Sequence, residues 1–75
     1  MATNVIQLDL CGLEPPEPIE CVLDALSRLQ AGDKIRMLID REPHPLYRIL
    51  EQNGFEYTVT PREGYLFDIL IRHFS

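Results

Sequence analysis

Gly12-Leu13-Glu14-Pro15-Pro16-Glu17-Pro18 is the stretch that decides the fold of this chain, because it marks where an extended segment becomes a helix. Proline fixes φ near the helical value, lacks the N–H that a first helical turn would leave unpaired, and restricts the residue before it. The three prolines within residues 15–18 therefore predict a sharp turn from a strand into a helix that begins at Pro18.

The residues on either side of this turn show the periodicities of a strand and of a helix. Residues 5–10 alternate between apolar and polar side chains, which predicts a half-buried strand. Residues 18–30 have apolar side chains three and four positions apart, which predicts an amphipathic helix with Gly32 as its C-cap. The inner side chains predicted for this helix are Ile19, Val22, Leu23, Leu26 and Leu29.

The rest of the chain repeats the strand–helix alternation and ends in a hairpin. Residues 34–40 alternate as a second strand. Pro43 and Pro45 open a second helix, and Asn53-Gly54 supplies its left-handed stop. Two further alternating segments follow, joined by a turn predicted at residues 61–64. The inward side chains predicted on these last three strands are Ile35, Met37, Ile39, Phe55, Tyr57, Val59, Phe67, Ile69 and Ile71.

The predicted element order is β-α-β-α-β-β. The alternation of strands and helices indicates the α/β class, and the architecture expected is a two-layer α+β sandwich. Strands joined by a helix are expected to be parallel, and the last two strands to pair as an antiparallel hairpin. Each helix has a single apolar stripe and each strand a single apolar face, so both helices are expected on one face of a four-stranded mixed sheet. Residues 1–75 are interpreted as one domain.

Composition excludes several classes of function. A net charge of −5 in 75 residues argues against a general nucleic-acid binder. The sequence shows no apolar run of the about 20 residues needed to span a membrane, and no basic segment followed by an apolar one. Two cysteines do not make a disulfide framework, so a cytoplasmic protein is expected. A chain this short buries too little surface to enclose a large group, and we expect no cofactor.

The pattern resembles the TusA/SirA family of small sulfur-carrier proteins over nearly the whole chain. The segments that carry the resemblance are Leu8-Asp9, Gly12-Leu13, Pro16-Glu17-Pro18, Leu26 and Leu29, Ala31-Gly32-Asp33, Asp40, Asn53-Gly54 and Ile71-Arg72. The family signature is Gly-Leu-x-Cys-Pro-x-Pro. The resemblance implies two helices on a four-stranded mixed sheet, in agreement with the element order.

The chain departs from that signature at Pro15, which stands at the position of the family's cysteine. In the family, that cysteine carries a persulfide received from a cysteine desulfurase, and the chemistry needs a thiolate at a helix N-terminus. Proline has no nucleophile. The Pro-Pro-Glu-Pro form, with residues 40–47 further on, resembles a related branch of domains of unknown function, which implies the family's shape without its chemistry.

The two cysteines of the chain are weighed as alternatives to the missing one. Cys11, at the end of the first strand, is a candidate displaced sulfur carrier. It is expected to face away from the helices with Asp9, and Glu14 and Glu17 are expected to raise its pKa. An ordinary, weakly reactive cysteine is the alternative. Cys21 is interpreted as a surface thiol on the polar side of the first helix.

The loops after the two parallel strands are expected to lie side by side, where ligands of open α/β sheets bind. This defines a candidate binding edge that comprises Glu14, Pro15, Glu17, Asp40, Arg41 and His44. Two helix N-termini and Arg41 there favour an anion. In the alternative, structural interpretation, Glu17 and Glu42 complement the helix dipoles and Asp40 or His44 caps the second helix. The two cysteines and His44 give three potential ligands where zinc prefers four well-spaced ones, so no metal is expected.

The leading hypothesis is a non-catalytic TusA-like domain that docks on a protein partner in a sulfur or redox pathway. It would use the candidate binding edge or the outer sheet face, where Leu38, Leu66 and Leu70 are predicted beside Arg36, Asp68 and Arg72. The alternatives are a sulfur carrier that uses Cys11 and a small-ligand or metal sensor at His44. The oligomeric state stays open, because edge strands can pair between chains.

Overall fold

A computed structural model describes residues 4–14 and 17–74 of the chain. The elements are β1 (Val5–Asp9), α1 (Glu17–Ser27), β2 (Lys34–Ile39), α2 (His44–Gln52), β3 (Phe55–Arg62) and β4 (Leu66–His73). This order confirms the predicted β-α-β-α-β-β arrangement.

The four strands form one mixed sheet in the order β1-β2-β4-β3. β1 runs parallel to β2, whereas β4 is antiparallel to both of its neighbours. The register aligns Ile6, Ile35, Ile71 and Tyr57 in one row across the sheet. The parallel pair and the terminal hairpin both agree with the prediction.

A single layer of apolar side chains lies between the sheet and the two helices. It joins alternate residues of β2 and β4 to the buried stripes of α1 and α2, so both helices cover the same sheet face. The buried residues of this core are Leu10, Val22, Ala25, Leu29, Ile35, Met37, Ile39, Leu46, Leu50, Ile69 and Ile71. The opposite face, called the outer face below, is formed by the intervening residues of the strands.

The inner stripe of α1 differs from the predicted one. Pro18, Val22 and Ala25 are buried, whereas Leu23 is 41% exposed. Leu23 lies about 100° around the helix from Val22, which places it beyond the arc that faces the sheet. The helix also ends at Ser27, earlier than predicted, and Gly32, with φ +90°, forms the turn before β2 instead of a helix C-cap.

The hairpin turn also lies elsewhere than predicted. β3 continues through Arg62, and Pro61 pairs with Phe67, so the connection consists of residues 63–65. Proline is tolerated there because β3 is an edge strand with one unpaired side. At the other end of β3, Asn53 is the C-cap of α2 and Gly54 has φ +78°, as predicted.

The described residues include no helix that is both long and apolar enough to cross a membrane.

Candidate functional site

Two hydrogen bonds connect the loop that follows β1 to the last part of β2 and to the loop after β2. The backbone N–H of Leu10 donates to the carbonyl oxygen of Leu38 over 2.8 Å. The backbone N–H of Gly12 donates to Asp40 Oδ2 over 3.0 Å. The structure therefore brings these loops together at one edge of the sheet, where five of the six residues of the candidate binding edge lie. Pro15 lies outside the described residues.

Asp40 and His44 do not cap α2, so the capping part of the structural interpretation is wrong. Pro43 is at the N-cap position, and no side chain bonds to the helix N-terminus there. The Asp40 carboxylate instead accepts the hydrogen bond from the backbone N–H of Gly12, and His44 Nε2 lies 3.2 Å from Glu42 Oε1. A proline at the N-cap position has no side-chain oxygen to offer, so the first turn of α2 leaves its N–H groups without a side-chain acceptor.

Glu42 holds two side chains at the start of α2. Besides its contact with His44, its second oxygen accepts a hydrogen bond from the hydroxyl of Tyr47 over 3.2 Å. The His44 and Tyr47 rings meet edge to face, with centroids 5.7 Å apart. Burial of Tyr47 and the adjacent Glu42 carboxylate raise the pKa of this phenol well above its usual value. Tyr47 is therefore a hydrogen-bond donor and not a general base.

The candidate binding edge is a solvent-facing surface. The side chain of His44 is 75% exposed, and the other described members of the edge, Glu14, Glu17, Asp40 and Arg41, are also exposed. An open edge of this kind suits contact with another macromolecule better than enclosure of a small substrate.

Cys11 lies in the turn that follows β1, where it is half-buried. Its backbone N–H donates to Asp9 Oδ1 over 3.1 Å. Burial raises the pKa of the Cys11 thiol, and so do the hydrogen bond and charge of Asp9 and the charge of Asp40. The predicted direction is right, but the responsible carboxylates are Asp9 and Asp40 and not Glu14 and Glu17. Cys21 is exposed on α1, as predicted.

A metal centre finds no support in the part of the chain that the structure describes. Across residues 4–14 and 17–74, no group of three His, Cys, Asp or Glu side chains is placed to hold a metal ion. His44, the centre of the proposed sensor, directs its Nε2 atom to Glu42.

A stack of two tyrosines between α2 and β3 was not predicted. The Tyr47 and Tyr57 rings are parallel within 7°, with centroids 4.6 Å apart. The Tyr57 hydroxyl donates to Glu51 Oε1 over 2.8 Å, and this hydrogen bond raises the pKa of Tyr57. The inward position of Tyr57 follows from the alternation of β3, but nothing in the spacing pairs it with Tyr47, ten positions earlier on another element.

The outer face carries a carboxylate shared by two arginines. Arg36 binds Asp68 through Nε and Nη2, with the closest contact 2.9 Å, and Arg62 Nη2 lies 2.8 Å from the same carboxylate. Hydrogen bonds from Arg36, supported by Arg62, hold the pKa of Asp68 below its usual value against the opposing effect of burial. The sequence did not indicate Arg62 as part of the outer face, because residues 61–64 were predicted to form the hairpin turn.

This shared carboxylate lies in an open concavity of about 620 Å³ on the outer face, whose walls include Leu38 and Leu66. The Asp68 side chain is 13% exposed, whereas those of Arg36 and Arg62 are about half exposed. The predicted outer-face leucines, Leu38, Leu66 and Leu70, are half-buried by their neighbours. The outer face is therefore a second candidate binding surface, with charged groups set among apolar ones.

Comparisons with known proteins agree with this architecture. The crystal structure of a SirA-like protein from Desulfitobacterium hafniense superimposes with a TM-score of 0.82 and 22% sequence identity, covering 93% of this chain and 99% of that one. At this identity the similarity shows the fold alone, and it confirms the fold implied by the TusA/SirA resemblance. A search of curated proteins found no match.

A family model supplies the classification. The model described as "Uncharacterized conserved protein (DUF2249)" matches residues 7–73, from within β1 to the end of β4. Because the match spans almost the whole chain, this protein belongs to the DUF2249 family of uncharacterized conserved proteins.

Proposed function

We propose that this chain is a non-catalytic SirA-like domain that works by docking on a protein partner, as an accessory module in sulfur or redox metabolism. One observation carries the proposal: neither position at which a sulfur carrier would need a reactive thiol offers one. Proline stands at the signature position, residue 15. The nearest cysteine, Cys11, has a thiol whose pKa is raised.

The surroundings of Cys11 oppose the chemistry of a persulfide carrier. The thiolate is the nucleophile, and carriers lower the pKa of the thiol with nearby positive charge or a helix N-terminus. Cys11 instead has Asp9 and Asp40 as its charged neighbours. It also precedes Glu17, the first residue of α1, by six positions, whereas the influence of a helix N-terminus fades within about one turn.

The docking part of the proposal is supported by a surface held in a fixed shape. The hydrogen bond between Gly12 and Asp40 joins the two strand-end loops, and Glu42 holds His44 and Tyr47. A surface that is ordered before binding loses less conformational entropy when a partner arrives. The link to sulfur or redox metabolism rests on the TusA/SirA resemblance.

A desulfurase assay tests the absence of carrier chemistry. The purified chain is incubated with a cysteine desulfurase and cysteine, and its intact mass is measured without reductant. We expect no added sulfur atom on the wild-type chain. The Pro15→Cys variant restores the signature Gly-Leu-Glu-Cys-Pro-Glu-Pro and is the positive control, expected to gain sulfur that a thiol reductant removes. Sulfur on the wild-type chain that disappears in Cys11→Ser would establish the carrier alternative.

Affinity capture from the source cell tests the docking part. We expect a partner to be retained by the wild-type chain and lost when a surface substitution is made in one of the two candidate surfaces. His44→Ala and Arg41→Ala probe the candidate binding edge, because both side chains are exposed there. If the wild-type chain retains no partner, the proposal is contradicted.

A further inference from the structure

Charge is distributed unevenly between the outer face and the rest of the molecule. Four of the seven basic residues of the chain lie on the outer face, together with three of its twelve acidic residues, Asp9, Glu56 and Asp68. The basic residues are Lys34, Arg36, Arg62 and Arg72. The outer face therefore has a net charge of +1, and the remaining three basic and nine acidic residues give the rest of the chain −6.

Arg36 and Arg62 retain hydrogen-bonding capacity after they bind Asp68. Each guanidinium carries five N–H donors. Arg36 uses Nε and Nη2, and Arg62 uses Nη2, so within the described residues both Nη1 groups find no protein acceptor. The carboxylate of Asp9 lines the same concavity, but within the described residues it accepts from the backbone N–H of Cys11 and not from either arginine. The cluster of Arg36, Arg62 and Asp68 therefore keeps one positive charge. A second carboxylate is the group that such a planar, cationic pair binds best.

Apolar surface lies directly beside these donors. Leu38 and Leu66 line the same concavity as the arginines, and Leu70 is paired with Arg36 across the sheet. A ligand for this face needs apolar side chains next to its carboxylate. The combination matches a segment of protein chain in which Asp or Glu stands between aliphatic residues.

We propose that the outer face docks an acidic, aliphatic segment of a partner protein, with a carboxylate bound by Arg36 and Arg62 and aliphatic side chains packed on Leu38, Leu66 and Leu70. This inference rests on the proposed function, because it names the surface and the chemistry of that protein partner.

Charge distinguishes this occupant from two others. A nucleic acid presents many phosphates, which a face of net +1 attracts weakly and the −6 elsewhere repels. A second copy that packed its outer face on this one would bring two faces of the same sign together. A short acidic segment satisfies the two arginines without placing many further negative charges near the acidic remainder of the chain.

Panning of a random dodecapeptide display library against the full chain tests the proposal. We expect enriched peptides with Asp or Glu flanked by Leu, Ile or Val. We also expect a synthetic enriched peptide to shift amide resonances of β2 and β4 in a ¹⁵N NMR titration. The Arg36→Gln/Arg62→Gln double variant should weaken binding roughly tenfold or more, because a charge-assisted bidentate contact is lost. Arg28→Gln, in the exposed Arg28–Asp24 pair of α1, removes one positive charge away from the outer face and should change binding less than about twofold.

A second variant avoids dependence on the arginine substitutions. Gln7 is exposed on the outer face and paired with Arg36, so Gln7→Glu supplies a competing carboxylate from within the chain. Gln7→Glu should weaken binding of the peptide, whereas Gln52→Glu, the same change at an exposed position of α2, should leave binding unchanged.

The outcomes separate the possible errors. No enrichment, a basic consensus, or unchanged binding by both outer-face variants overturns the proposal, as does preferential binding of single-stranded DNA. Self-association in sedimentation that Gln7→Glu abolishes would assign the face to a second copy. Peptide shifts confined to Glu14, Asp40 and His44 would overturn this surface while leaving the protein-interaction function in place. Sulfur loading of Cys11, or failure of the chain to retain any partner from the source cell, would overturn that function.

Discussion

The backbone N–H of Gly12 donates to the carboxylate of Asp40, 28 positions later in the chain, over 3.0 Å. A side chain from the loop after β2 thereby holds the loop after β1. The loop after β1 continues through Pro15 to the start of α1. This hydrogen bond fixes the two strand-end loops relative to each other.

Removal of this hydrogen bond is expected to destabilise the fold modestly. Asp40→Ala should lower the free energy of unfolding by about 1 kcal/mol, because the exposed carboxylate contributes one net hydrogen bond. Asp40→Asn retains an acceptor oxygen and should lose less than half as much. Urea denaturation monitored by circular dichroism measures both changes. Equal stability of the two variants would show that the hydrogen bond contributes nothing.

The reactivity of Cys11 should depend on two carboxylates. In a Cys21→Ser background, the rate of alkylation of Cys11 by iodoacetamide should rise at a higher pH than that of a small model thiol, since burial, Asp9 and Asp40 raise the pKa of Cys11. Asp9→Asn should lower this midpoint more than Asp40→Asn does, because Asp9 acts through both a hydrogen bond and its charge. A Cys11 midpoint below that of the model thiol would refute this account and favour the carrier alternative.

Asp68 should make the protein sensitive to acid. Arg36 and Arg62 lower the pKa of Asp68 in the folded state, so its contribution to stability is complete above the unfolded-state pKa of about 3.9 and is lost as the pH falls through the lower folded-state value. Asp68→Asn should cost about 1 kcal/mol at neutral pH, since the two arginines are half exposed.

Urea denaturation at a series of pH values measures this effect. The difference between wild type and Asp68→Asn should shrink toward acidic pH. Arg36→Gln should reduce the wild-type acid dependence more than Arg62→Gln does, because Arg36 has the larger effect on the pKa. A difference that is constant with pH would mean that the charge of Asp68 does not stabilise the fold.

Tyr47 should make the protein sensitive to alkali. Its pKa is raised by burial and by Glu42, so its contribution to stability is complete below the unfolded-state pKa of about 10 and declines as the pH rises beyond that value. Tyr47→Phe should reduce the alkaline loss of stability, measured by denaturation between neutral pH and alkali. Tyr65→Phe removes a hydroxyl from a residue that is 88% exposed and should leave stability at neutral pH unchanged. An alkaline loss that is identical in Tyr47→Phe would contradict the prediction.

The β3–β4 turn offers a stabilising substitution. Tyr65 has φ +61°, a left-handed conformation that is unfavourable for residues other than glycine. Because the side chain is 88% exposed, Tyr65→Gly loses little packing and should raise the free energy of unfolding by about 0.5–1 kcal/mol. Tyr65→Ala keeps the unfavourable conformation and is the matched control, which should gain nothing. A thermal denaturation series ranks the variants, and equal values for both would argue against conformational strain.

The sequence predicted the fold where local periodicity decides it and failed where packing decides it. Alternation in β2 identified Ile35, Met37 and Ile39 as buried, because successive side chains of a strand point to opposite faces of the sheet. The predicted inner face of α1 was wrong at Leu23. The helix has more apolar positions than the sheet covers, and Ala25 packs inward. The length of β3 was wrong because Pro61 is a turn signal that an edge strand tolerates.

The sequence predicted which loops of the candidate site lie close together, but not which of their atoms contact each other. Parallel strand ends must meet at one edge, so the loops carrying Gly12 and Asp40 were correctly placed together. Which group Asp40 binds depends on backbone directions in the turn, and the spacing of residues does not encode them. The Tyr47–Tyr57 stack likewise depends on how α2 crosses β3.

The unequal division of charge between the outer face and the rest of the chain gives the molecule an electric dipole. In the field of a charged partner such a molecule turns as it approaches, so that encounters begin with a preferred orientation. The association rate should therefore fall as ionic strength rises and the Debye length shortens, even for partner variants whose final contacts are the same.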